Sequence, residues 1–107
     1  MSYYKVVTLV PEEILENLMS ELNKIVKPIY PNYDYVFVYS KVVSTWRPLL
    51  GSNPFKGIIN QIEYSSEIKL EINVHKENID DVISTIKKIH PYECPVIEYF
   101  EIRIPSF

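Results

Sequence analysis

Glycine is nearly missing from this chain of 107 residues; there are two, Gly51 and Gly57, and both fall in one short window. No lysine is followed by serine or threonine, and no glycine-rich loop opens a helix, so nucleotide binding in the P-loop manner is excluded. Cysteine occurs once, at Cys94, which rules out an intramolecular disulfide and fits a reducing cytoplasm. Histidine occurs twice, at His75 and His90, too few for a histidine-rich metal centre. No apolar run approaches the roughly 20 residues that span a bilayer, and "MSYYKVV" lacks the features of a signal peptide. A net charge of −3 and a pI near 5.3 argue against a nucleic-acid or anionic-membrane partner.

What is present is the balance of one globular domain over 1–107: 47% hydrophobic and 23% charged residues. Nine tyrosines stand against four phenylalanines. That bias fits half-buried strands or a surface that meets a partner, because the ring packs while its hydroxyl stays wet.

The chain also contains a repeat. "VPEEILENLMSELNKI" (10–25) and "VHKENIDDVISTIKKI" (74–89) align so that Leu15 meets Ile79, Leu18 meets Val82 and Leu22 meets Ile86. Each has apolar residues at the three-and-four spacing of a one-faced helix. Pro11 suits a first helical turn, and Pro91 predicts that the second helix stops at His90. The flanks match as well: "YYKVVTLV" (3–10) with "EIKLEINV" (67–74) before the helices, and "YDYVFVYS" (33–40) with "IEYFEIRI" (97–104) after them. All four read as strands. Two right-handed βαβ units put both helices on one face of a four-stranded antiparallel sheet, the α+β ferredoxin-like βαββαβ sandwich. The other face is expected to be open, to carry tyrosines such as Tyr35, and to meet another subunit.

Residues 41–66 interrupt the repeat and are expected to form a long hairpin insertion. Its tip, "TWRPLLGSNPFKG" (45–57), resembles the F-R-P-L-x-G-x-N-P-F-x-G signature of the domain inserted in NIF-three-like (YqfO) proteins. "HPYECP" (90–95) resembles the H-P-Y-E-x-P motif which that domain shares with CutA proteins. The likeness spans nearly the whole chain and makes it similar to a stand-alone version of that CutA/PII-like domain. It implies a relative of CutA and the PII signalling proteins, among which homotrimers are common. The dinuclear metal core of the full-length family lies in flanking halves, so its hydrolase activity is not implied here. Three departures stand out: Val42-Val43 and Pro31 in place of glycine, and Cys94 in place of an acid. They imply a stiffer hairpin and a less acidic patch.

The candidate binding residues are Arg47, Asn53, His90, Tyr92 and Glu93. Arg47 offers a planar five-donor fork, and Asn53 is either part of a recognition loop or a cap on its own turn. Equally, Arg47 could be tied to carbonyls or to Glu93. His90 and Glu93, with Cys94, have the chemistry of metal ligands or an acid–base pair. The plainer reading makes His90 a helix-end residue favoured by the dipole, Cys94 a small buried hydrophobe and His75 an idle exposed residue. The sequence therefore predicts a cytoplasmic, non-enzymatic, oligomerising binding or regulatory module with no cofactor and no metal. A small-molecule or divalent-ion sensor, with its ligand between the loop and the HPYE turn, is the alternative.

Overall fold

The computed structural model describes residues 2–107. The chain runs β1 (Tyr3–Val10), α1 (Leu15–Ile25), β2 (Val38–Trp46), β3 (Glu63–His75), α2 (Ile79–Ile89) and β4 (Ile97–Ile102), with one turn of 3-10 helix leading into each α-helix. The sheet is antiparallel in the order β2-β3-β1-β4, and this is the ferredoxin-like fold. The repeat holds through both helices: Leu15 and Ile79 open them, and Ile25 and Ile89 close them. Pro11 and His75 precede them in the same extended conformation, at φ −59°, ψ 143° and φ −65°, ψ 145°. As Pro91 demands, His90 leaves the helix extended, at ψ 128°.

Pleating decides what is buried. Val6 and Val10 of β1 and Ile68, Leu70, Ile72 and Val74 of β3 point to the helix side, where Leu18 and Leu22 of α1 meet Val82 and Ile86 of α2. Each such side chain contributes about 1.5–3 kcal/mol on burial. A polar clasp joins the helix ends: Asn78 accepts from the Lys27 N–H (3.0 Å) and donates to the Ile25 carbonyl (3.4 Å).

Two expectations are corrected. The strand after α1 begins at Val38 instead of Tyr33. Tyr35 is held in the left-handed region (φ 54°), its N–H bonded to Asn23 Oδ1 of α1 (2.9 Å), so this stretch cannot extend. The open face is also not a tyrosine face. Register puts Tyr4, Tyr39 and Tyr99 opposite Val74, Leu70 and Val6, on the helix side of the sheet, and only Tyr3 of these strand tyrosines on the other. Lys5, Lys69 and Glu71 share that other face with Phe100, so it mixes charged and aromatic side chains and is no run of tyrosines.

β1 stops at Val10, opposite Ile68, but β3 and β2 continue as a two-stranded arm as far as the pair Trp46–Glu63. The arm draws the molecule out to 50 × 21 × 21 Å. A lone two-stranded ribbon is marginal in water. Its stability depends on what packs against its tip.

Candidate functional site

Two turns fold the arm's loop. The first closes with the Ser52 N–H on the Leu49 carbonyl (3.0 Å), and Gly51 at its third position has φ 96°, as a type II turn requires. Gly57, at φ 109°, lies under the Trp46 indole, whose Nε1 donates to the Lys56 carbonyl (3.2 Å). A methyl group at Gly57 would sit 3.2 Å from Pro48 Cγ. The Pro48 carbonyl in turn accepts from the Asn60 N–H (2.7 Å). Both glycines are thus required by left-handed backbone, and Gly57 by space as well.

So shaped, the loop folds onto the turn after α2. The Asn53 backbone N–H donates to Glu93 Oε2 (3.0 Å). The Tyr92 ring lies 5.5 Å from Trp46, 5.8 Å from Phe55 and 4.7 Å from His90, centroid to centroid. Between loop and turn opens a cleft of about 290 Å³, walled by Trp46, Pro48, Phe55 and Tyr92 and backed by Leu9 and Val96.

Its floor is polar. Glu67, on β3, is 4% exposed, and its Oε1 accepts from the Ser44 hydroxyl of β2. Glu67 Oε2 is buried and has no hydrogen-bond partner. Lys56 also lines the cleft, but its ammonium donates to Ser65 Oγ (3.0 Å). Burial, then the neighbouring Glu67 carboxylate, pushes the Tyr92 hydroxyl up to about 12.

His90 supports the turn from beneath. Its Nδ1 accepts from the Tyr92 N–H (3.2 Å), which leaves the proton on Nε2 to be donated to the Leu9 carbonyl (2.6 Å). Burial lowers its pKa below the usual 6.5, against the opposing pulls of Leu9 and Glu67. A neutral ring with both nitrogens engaged is neither a free metal ligand nor a dipole-stabilised cation. Cys94 is exposed on the cleft rim, not buried. His75, expected exposed, is buried against Tyr3 with a ring nitrogen 3.4 Å from the Pro28 carbonyl. Among the described residues no cluster of three or more His, Cys, Asp or Glu could hold a metal ion.

Of the sequence candidates, Tyr92 and Glu93 line the cleft, Asn53 joins through its backbone, His90 lies behind Tyr92, and Arg47 is exposed outside it. Glu93 meets Asn53 instead of Arg47. Sequence reasoning missed Glu67, Ser44 and Lys56. Within "EIKLEINV" Glu67 looks like an ordinary solvent-facing residue of an alternating strand, and only the loop folding over it makes it a floor.

The chain is 32% identical over 104 residues to a protein of Staphylococcus epidermidis named GTP cyclohydrolase 1 type 2 homolog, and 33% identical to one of the same name from Staphylococcus aureus. The match takes in 97% of this chain but 28% of each relative. A NIF3-related protein of Bacillus cereus superposes with a TM-score of 0.80 at 23% identity, over 94% of this chain and 26% of that one. The chain is similar, over nearly its whole length, to one domain of these NIF3-related proteins. A family model described as CutA1 divalent ion tolerance protein matches residues 58–105 of the chain. In fold it also resembles the periplasmic divalent cation tolerance protein CutA of Archaeoglobus fulgidus (TM-score 0.70, 16% identity, 97% of this chain and 87% of that one). Bacillus subtilis GlnK is similar too (0.65, 23%, 95% and 86%). The domain spans little more than a quarter of the length of the curated relatives it matches.

Proposed function

We propose that this CutA/PII-like domain is a non-enzymatic, oligomerising binding module of regulatory role, whose small-molecule ligand enters the cleft between the arm's loop and the 90–96 turn. One observation carries the reading: two motifs far apart in sequence converge on a single aromatic-walled cavity of about 290 Å³. That volume is at the small end of ligand pockets. The absence of catalysis is supported by His90, which has no nitrogen free to act as a base beside the exposed Cys94. The activity named for the longer relatives is not assigned to this quarter of their length.

Oligomerisation is supported by the apolar side chains that the arm leaves in solvent, among them Leu50 (92% exposed), Val43, Ile58 and Tyr64. A trimer in the cytoplasm, without a cofactor, completes the proposal. Divalent ions remain the competing ligand class, on the strength of the CutA1 match over 58–105. No helix of the described residues is long and apolar enough to cross a membrane.

Thermal-shift screening of small organic ligands, nucleotides and divalent ions is the test, since a ligand that binds only the folded state raises the melting temperature. Stabilisation by an organic ligand that disappears in Phe55→Ala supports the cleft. Stabilisation by divalent ions alone favours the ion sensor. Light scattering at micromolar concentration that returns the mass of one chain removes the trimer.

A further inference from the structure

An unmatched atom in Glu67, a residue that lines the cleft, deepens the reading just given, and the inference rests on that reading. Glu67 Oε2 is a buried acceptor without a donor, in a residue 4% exposed. Such an atom carries its full desolvation cost until something donates to it. Of the nearby donors, Ser44 gives to Oε1, Lys56 to Ser65 and the Trp46 indole to the Lys56 carbonyl, while the Tyr92 hydroxyl, also a neighbour of Glu67, makes no hydrogen bond to Oε2. Neither ion pair among the described residues involves Glu67.

We propose that the cleft is a site for a flat organic cation or N–H-rich ring of the amidine class, whose N–H edge donates to Glu67 while its faces lie against Trp46, Phe55 and Tyr92. The ring walls select for flatness and, through their negative faces, for positive charge. The floor selects for a donor. An anion is disfavoured, because the lining sets two carboxyl groups, Glu67 and Glu93, against one ammonium, Lys56, which is already bonded to Ser65. A hard divalent ion wants about six oxygen ligands, which an aromatic cleft with two carboxylates, each already accepting a hydrogen bond, does not offer. A lone water would leave most of the cavity unfilled, its share of liquid volume being about 30 Å³.

Trp46 is the only tryptophan, so intrinsic fluorescence reports on the cleft wall itself. The probes are benzamidine, its neutral analogue benzamide and the anion benzoate, which share a ring and differ in charge and donors. Wild-type protein should show saturable changes in fluorescence with benzamidine, weaker ones with benzamide and none with benzoate. Glu67→Gln should lower benzamidine affinity by about ten-fold or more, the scale of a hydrogen bond to a charged group. Phe55→Ala, which removes a wall but not the carboxylate, should weaken every probe that binds.

Equal binding of benzoate and benzamidine overturns the amidine proposal, as does undiminished affinity in Glu67→Gln. Either result leaves the cleft as a ligand site, provided Phe55→Ala still weakens binding. No saturable response to any probe overturns the amidine assignment and counts against the cleft as well. Should Glu67→Gln not fold, the charge series on the wild-type protein decides alone.

Discussion

His90 stands where a helix ends and a cleft wall begins, and its ring is engaged on both sides. Because burial holds its pKa below 6.5, the unfolded chain takes up a proton first as pH falls. Above 6.5 the group is neutral in both states and contributes no slope. From about pH 6.5 downward, through its lower folded pKa, stability is lost. Melting temperatures between about pH 7.5 and about pH 5.5 should therefore fall more steeply for the wild type than for His90→Asn. A second residue-scale prediction separates the glycines. Gly51→Ala meets open space and costs only the left-handed conformation, about 1 kcal/mol. Gly57→Ala adds a contact at 3.2 Å to the same penalty and should cost more, about 2–3 kcal/mol in denaturant unfolding. The window was legible in sequence because left-handed backbone leaves a mark in residue type. Glu67 was not, because its burial comes from a loop closing over it and no local pattern records that.

At the scale of elements, the repeat made both helices readable, since packing on a shared sheet imposes the same apolar stripe on each. It failed where α1 hands over to β2. There a hydrogen bond from Tyr35 to Asn23, between residues of opposite local preference, holds five residues of β-like composition out of the sheet. Tertiary contact overrode propensity, as it often does for short strands. The Asn78 clasp has its own test. Asn78→Ala removes a donor to Ile25 and an acceptor for Lys27 and should cost about 1–2 kcal/mol in urea unfolding. An unchanged midpoint would show that the helix ends are joined by apolar packing alone.

At the scale of the whole molecule, the arm is what a ferredoxin-like fold does not need and this chain has. Its exposed leucines, Leu49 and Leu50, lie on the loop that shapes the cleft. Replacing both with glutamate should shift light-scattering mass towards a single chain and leave the melting transition of the sheet and helices cooperative. A loss of folding instead would mean that the loop is needed by the core. The strand register has a different consequence. Tyr3, at the start of β1, lies beside Ile102, at the end of β4, whereas the cleft draws on Leu9, Glu67 and Val96 at the opposite end of the sheet. Entry and exit thus leave side by side, like the two wires of a plug. A host polypeptide can accept such a unit in a surface loop with hardly any gap to bridge. The cleft would then project away from that seam, at the far end of the same sheet.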